Sequence, residues 1–279
     1  MLAYSLPALF AMFIWWISTG VVLYVVGRPP ATHTNAMLAI SALAAVALLG
    51  LWTTSDDASV FGAYSAFAAA LTVWAWHEMS FLTGKVTGPR TTPCPGRPDE
   101  PTSLRAPLLP AIESVIYHEI AIALTAGLIF ALTFNGPNQI GLWTFVILWL
   151  MRLSAKLNIY FGVQNLTEQF LPNHLQYLKT YFCRRPMNGF FPIIVTVSTV
   201  VTALLAAAAL HAAATPFQVT GLTFLTILMA LAVLEHWFLV IPIPADRLWS
   251  WGLASRSQPA PEGPAASQAN RERIGMATA

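Results

Sequence analysis

The sequence predicts an all-α, polytopic membrane protein of about seven transmembrane helices, and three observations carry the prediction. The chain has 279 residues, of which 56% are hydrophobic and only 9% charged, whereas a soluble domain has about 25% charged residues. Mean hydropathy is +0.62. Seven apolar runs near 4–26, 36–54, 59–81, 112–134, 140–162, 189–213 and 217–241 each approach the roughly 20 residues that a spanning helix needs. The Lys and Arg residues between these runs all fall on one side, as cytoplasmic loops require.

Taken in order, the first run holds Trp15, Trp16 and Tyr24 and stops at Gly27-Arg28-Pro29-Pro30, which is helix-ending chemistry. Met1 to Ala3 carries no basic n-region and no small-x-small site follows, so this run reads as a retained helix. The second ends at Thr53-Thr54-Ser55-Asp56-Asp57, where the aspartates are expected to cap the third. So short a connection makes helices two and three antiparallel neighbours. Residues 82–111 turn to Pro, Gly, Thr and charge, with seven prolines from Pro89 to Pro110, and read as a partly mobile cytoplasmic loop. Gly136-Pro137-Asn138 is a tight link. In 163–188, Leu166, Phe170, Leu171 and Leu175 alternate with polar side chains, which predicts an interfacial amphipathic helix broken at Pro172. The transmembrane domain then covers 1–254, and 255–279 is a Ser/Pro/Ala/Gln tail, expected to be disordered and cytoplasmic.

Sidedness fixes orientation. Arg28, the four basic residues of 82–111, Lys179, Arg184, Arg185 and those beyond Pro244 share one side, with Arg152 and Lys156 in the adjoining half of helix five. The N-terminus is expected outside and the C-terminus in the cytoplasm. Net charge is only +2 and no run of five basic residues occurs, so the footprint of a nucleic-acid binder is absent. No Gly-x-Ser-x-Gly, P-loop or dinucleotide fingerprint is present. Cys94 and Cys183 have no metal-spaced neighbours and read as ordinary reduced thiols.

Charge inside the apolar runs needs a reason, because it is expensive there. His77-Glu78, His118-Glu119 and Glu235-His236 lie in three runs, and Arg152 with Lys156 in a fourth. His77, His118, Lys156 and Glu235 all fall within six residues of the cytoplasmic ends of their helices, roughly 6–9 Å below the boundary. Such agreement predicts one polar cavity open to the cytoplasmic leaflet, with Glu113, Asn158, Gln164, Asn165, Glu168 and His174 as further lining candidates.

Three uses of this layer compete. The charges can simply pair and fix helix register. His77, Glu78, His118, Glu119, Glu235 and His236 are candidate ligands for iron, manganese or zinc. Against this, neighbouring residues on a helix point about 100° apart, and neither a Glu-x-x-His nor a His-x-x-x-His pair occurs. Alternatively, a His ligates the metal of a tetrapyrrole while Arg152 or Lys156 meets its acidic group, with Asn158 and His174 alongside. Ten tryptophans and sixteen phenylalanines suit a flat ring, although aromatic residues at helix ends also serve as interfacial belts. His33 and His211 read as surface groups, and Gly20, Gly127 and Gly141 as helix-packing sites.

Trp76-His-Glu-Met-Ser-Phe-Leu-Thr-Gly84, Tyr117-His118-Glu119, Lys156-Leu-Asn158 with Phe161-Gly162, Pro172-Asn-His-Leu-Gln-Tyr177 and Glu235-His-Trp-Phe238 together resemble the PuhE family. These are photosynthetic complex assembly proteins of purple and related aerobic phototrophic bacteria, and the likeness runs from helix one to about Trp251. The resemblance implies a multi-pass protein of the bacterial inner (intracytoplasmic) membrane. It would assist assembly of the reaction-centre and light-harvesting complex, or modulate bacteriochlorophyll supply to it. Its implied partners are the lipid bilayer, the complex's subunits or bacteriochlorophyll enzymes, and its implied ligands a metal ion or a bacteriochlorophyll-type tetrapyrrole. It carries no catalytic residues over, so enzyme activity is left open. The alternative is a metal-dependent membrane oxidoreductase of tetrapyrrole metabolism.

Overall fold

The computed structural model describes residues 2–257. Among these, seven α-helices are long: α1 (Leu2–Val26), α2 (His33–Thr53), α3 (Val60–Leu82), α5 (Ile116–Thr133), α6 (Ile140–Phe161), α7 (Phe190–Ala209) and α8 (Pro216–Phe238). Two short helices, α4 (Leu108–Glu113) and α9 (Ser250–Leu253), complete the set. The protein is all-helical and multi-pass. Six of the seven long helices are apolar enough to cross a membrane, and α3 is the exception.

The reason lies in its position. More than half of the 23 residues of α3 are buried by other helices, among them Ala63, Ala66, Phe67, Ala70 and Trp74, so its surface need not match lipid. Around it α1, α2, α6 and α8 close the bundle. Phe67 stacks on Phe224 of α8 with centroids 4.5 Å apart, and Phe10 and Tyr64 pack against the same ring. By contrast α2 and α7 are largely exposed, carrying Leu38, Leu43, Val46, Ile193, Val197 and Leu204 outward, as lipid-facing helices do.

At the far end, Asn138 ties two loops together, its Nδ2 donating to the carbonyls of Thr54, Asp57 and Gly62 at 3.0–3.2 Å. The cap of α3 is Ser59, whose hydroxyl accepts from Gly62 N; Asp57 acts one step back, accepting from Ser59 N. Asp57 therefore braces the cap rather than forming it.

The opposite end is a folded cap. Residues 82–111 are fastened: Arg97 donates to the carbonyls of Thr180 and Leu104 and to Thr102 Oγ1, and the Tyr181 hydroxyl donates to Thr92 O. The predicted amphipathic helix is replaced by two 3-10 helices, Glu168–Phe170 and Asn173–Tyr181, separated at Pro172. Isolated bridges join Thr102 to Cys183 and Val163 to Arg184. Backbone groups here bond to the facing loop, which removes the need for an α-helix.

The fourth apolar run also divides. Loop residue Gly88 packs on the backbone of Glu113 and Ser114 with no room for a Cβ, and Thr87 O accepts from His118 N. This wedge separates α4 from α5.

Of the tail expected from residue 255, the first residues are ordered, Ala254–Ser257 forming a 3-10 turn; the rest of it lies outside the described residues. Arg256 donates to the carbonyls of Gln169 and Phe170. Trp251 fills the space beside Gly20, and Gly252 packs directly on Gly20 O. Gly141 likewise abuts Leu51 and Ala66, whereas Gly127 faces open space and packs nothing. His33 is buried, its Nε2 donating to Arg28 O, while His211 is exposed. Cys94 and Cys183 are buried and free.

Candidate functional site

Beneath the cap lies a cavity of about 710 Å³ whose wall is largely apolar. Crossing it is a belt of charge: Glu78 from α3, Glu119 from α5, Arg152 and Lys156 from α6, and Glu235 from α8. Lys156 Nζ lies 2.6 Å from Glu119 Oε1, and Arg152 3.1 Å from Glu78 Oε2. Trp149 donates its indole N–H to Glu119 Oε2 at 3.2 Å, and Trp15 donates to Glu235 Oε1 at 3.1 Å.

Each His-Glu doublet divides its labour. Successive helical side chains diverge by about 100°, and in every doublet the carboxylate faces the cavity while the imidazole packs behind the wall. His77, His118 and His236 are 1%, 1% and 2% exposed, and none lines the cavity. His77 Nε2 lies 3.1 Å from Thr125 Oγ1. His236 donates through Nδ1 to Ala232 O, which leaves Nε2 to accept from Ser154 Oγ at 2.8 Å. The His77 and His118 rings meet edge-on with centroids 6.1 Å apart, and their Nδ1 atoms have no hydrogen-bond partner among the described residues. Among those residues no three His, Cys, Asp or Glu side chains are grouped to hold a metal ion. The six candidate ligands are thus divided, three carboxylates lining the cavity and three imidazoles buried behind its wall.

Of the other candidates, Arg152 and Lys156 face the cavity. Asn158 is fully buried and outside it: its Oδ1 accepts from Asn188 Nδ2 and its own Nδ2 donates to Ser154 O. It fastens the cap to α6. His174 is exposed on the cap beside Gly84, whose φ of +74° and missing Cβ admit the ring. Desolvation there lowers the imidazole pKa from its ordinary value. Glu113 pairs with Arg90, and Glu168 with Lys179 and Arg184, all in the cap. Gln164 and Asn165 lie in a separate cap crevice.

Trp15 and Trp149 are the belt members that sequence reasoning missed. For Trp149 a signal existed: with Arg152 and Lys156 it forms an i, i+3, i+7 stripe on α6. Trp15 offers none, because a tryptophan in an apolar run reads equally as an interfacial anchor.

The arrangement has room for an apolar molecule and would present it with paired and unpaired charge. No solved structure matches this chain. A relative in Rhodobacter capsulatus, described as an uncharacterized 30.4 kDa protein in the puhA 5′ region, is 38% identical over 259 residues, covering 91% of this chain and 93% of its own. The family model described as "Protein of unknown function (DUF3623)" matches residues 1–260. The chain belongs to the DUF3623 family.

Proposed function

We propose that this chain is a seven-span protein of the bacterial inner membrane, N-terminus outside, that assists assembly of the photosynthetic reaction-centre and light-harvesting complex or modulates bacteriochlorophyll supply to it. The observation that carries this reading is the large apolar cavity crossed by charged side chains from four helices. Such a chamber suits handling of a lipid-soluble molecule better than a water-fed reaction. The ordered motifs that resemble the PuhE family supply the photosynthetic context, and the position printed for the relative, in the puhA 5′ region, supports it. The turn of the carboxylates into the cavity and of the histidines behind its wall favours this role over a six-ligand oxidoreductase centre.

The test keeps shape while removing charge. Glu119→Gln and Glu235→Gln are introduced in phototrophic cells, and membrane protein level is measured beside bacteriochlorophyll and core-complex content. Normal protein level with altered pigment or complex is expected. Wild-type pigment and complex in cells that accumulate the variants would end the proposal.

A further inference from the structure

The cavity wall is layered. On α3 it reads Trp74, Glu78, Leu82 and on α8 Leu228, Glu235, Phe238, so the charged belt has apolar compartments both above and below it. A ligand filling this space has an apolar body on each side of one polar point. At the cap end, Leu108 and Ile112 of α4 both line the cavity and are exposed, 56% and 42%, giving the entrance an apolar rim. Entry from the lipid phase follows.

The belt also specifies the polar point. It holds three carboxylates and two cations, and both cations are already paired. A carboxylate offers about four acceptor positions, yet Glu235 receives one hydrogen bond, from Trp15. Glu78 Oε1 is buried without a hydrogen-bond partner among the described residues. Glu78 and Glu235 line the same cavity, with Arg152 paired to Glu78 at 3.1 Å. What the belt lacks, among the described residues, is a cation paired with Glu235. An anionic head group would meet a surplus of carboxylate; a hydroxyl, N–H or ammonium would satisfy it.

We propose that the cavity binds a lipid-soluble molecule whose apolar body carries a hydrogen-bond donor, with that donor bonded to Glu235 or to Glu78. The inference rests on the preceding reading only in taking the belt as the working site; it adds the ligand's chemistry.

The experiment uses the full chain in lipid nanodiscs and two matched pairs of probes. Decylubiquinol, kept reduced, is compared with its dimethyl ether, and dodecylamine with dodecyltrimethylammonium. Each pair keeps the body and removes the donor. The expected result is saturable, one-to-one binding in which the donor-bearing member of at least one pair binds ten times more tightly. Identity of that pair separates a hydroxyl-bearing from a cationic natural ligand. Ala232→Phe, which fills the cavity beside Glu235, should abolish the binding. Equal affinity within both pairs, no saturable binding, or binding undiminished by Ala232→Phe would overturn the proposal. Pigment loss in the Glu119→Gln cells would stand regardless, so the two failures are distinguishable.

Discussion

Lys156 and Glu119 meet at 2.6 Å across the seam between α6 and α5, with the Lys156 ammonium also 5.1 Å from the centre of the Phe81 ring. Both side chains are about four-fifths buried, so each charge depends on the other. Breaking a buried pair from one side costs about 3–5 kcal/mol, much of it from the charge left alone. Lys156→Met should therefore destabilise more than the double variant Lys156→Met/Glu119→Leu. Thermal unfolding of the four proteins in detergent measures the coupling, and additive losses would show that the pair does not act as a unit.

Gly20 and Gly127 make an internal control. A Cβ at Gly20 would enter the Trp251 ring, whereas at Gly127 it meets open space. Gly20→Val should detach the C-terminal segment and raise proteolysis beyond Val240; Gly127→Val should leave the cleavage pattern unchanged. Similar behaviour of the two would contradict the packing described for α9.

Asn138 serves three carbonyls with one amide. At about 1 kcal/mol per net hydrogen bond, Asn138→Ala should cost roughly 2–3 kcal/mol. Asn138→Asp should cost as much or more, because a carboxylate beside three carbonyls cannot donate. Melting temperatures of the two variants decide, and an aspartate equal to the wild type would rule out the donor role.

Arg97 organises the cap through a fork of donors that lysine lacks. Arg97→Lys should leave the bundle intact and open the 82–111 loop to protease, cutting between Pro89 and Pro107 at least several-fold faster. An unchanged cleavage rate would mean that other contacts hold the loop.

Orientation is tested by fusions. A reporter active only outside the cytoplasm should work after Asp57, Pro137 or Pro216 and fail after Pro98 or Arg185. The reverse pattern would place the cap and cavity mouth on the outer face.

Helix existence was legible because the apolar runs are long and their ends carry Gly, Pro and charge. What sequence could not supply was direction around each helix. Glu78 and His77 are equally polar and adjacent, and only packing against Thr125 on one side and Arg152 on the other assigns them to wall and cavity. The cap was misread for a related reason. Its order comes from long-range bonds, Arg97 to Thr180 and Tyr181 to Thr92, which leave no periodic trace in a Pro-rich stretch. His33 looked like a surface group until the chain folded back and its own loop carbonyl, Arg28 O, reached the ring.

Trp249 forms part of the cavity wall and is tied to the first helix, its indole donating to Trp16 O while Trp16 donates to Leu248 O. During synthesis a chain emerges at about 5–20 residues per second, so α1 waits in the bilayer while more than 220 residues follow it. Until then the chamber stands open at the side that the C-terminal segment will occupy. The chamber's wall is consequently completed late, when Trp249 reaches α1 after α8 itself has left the ribosome.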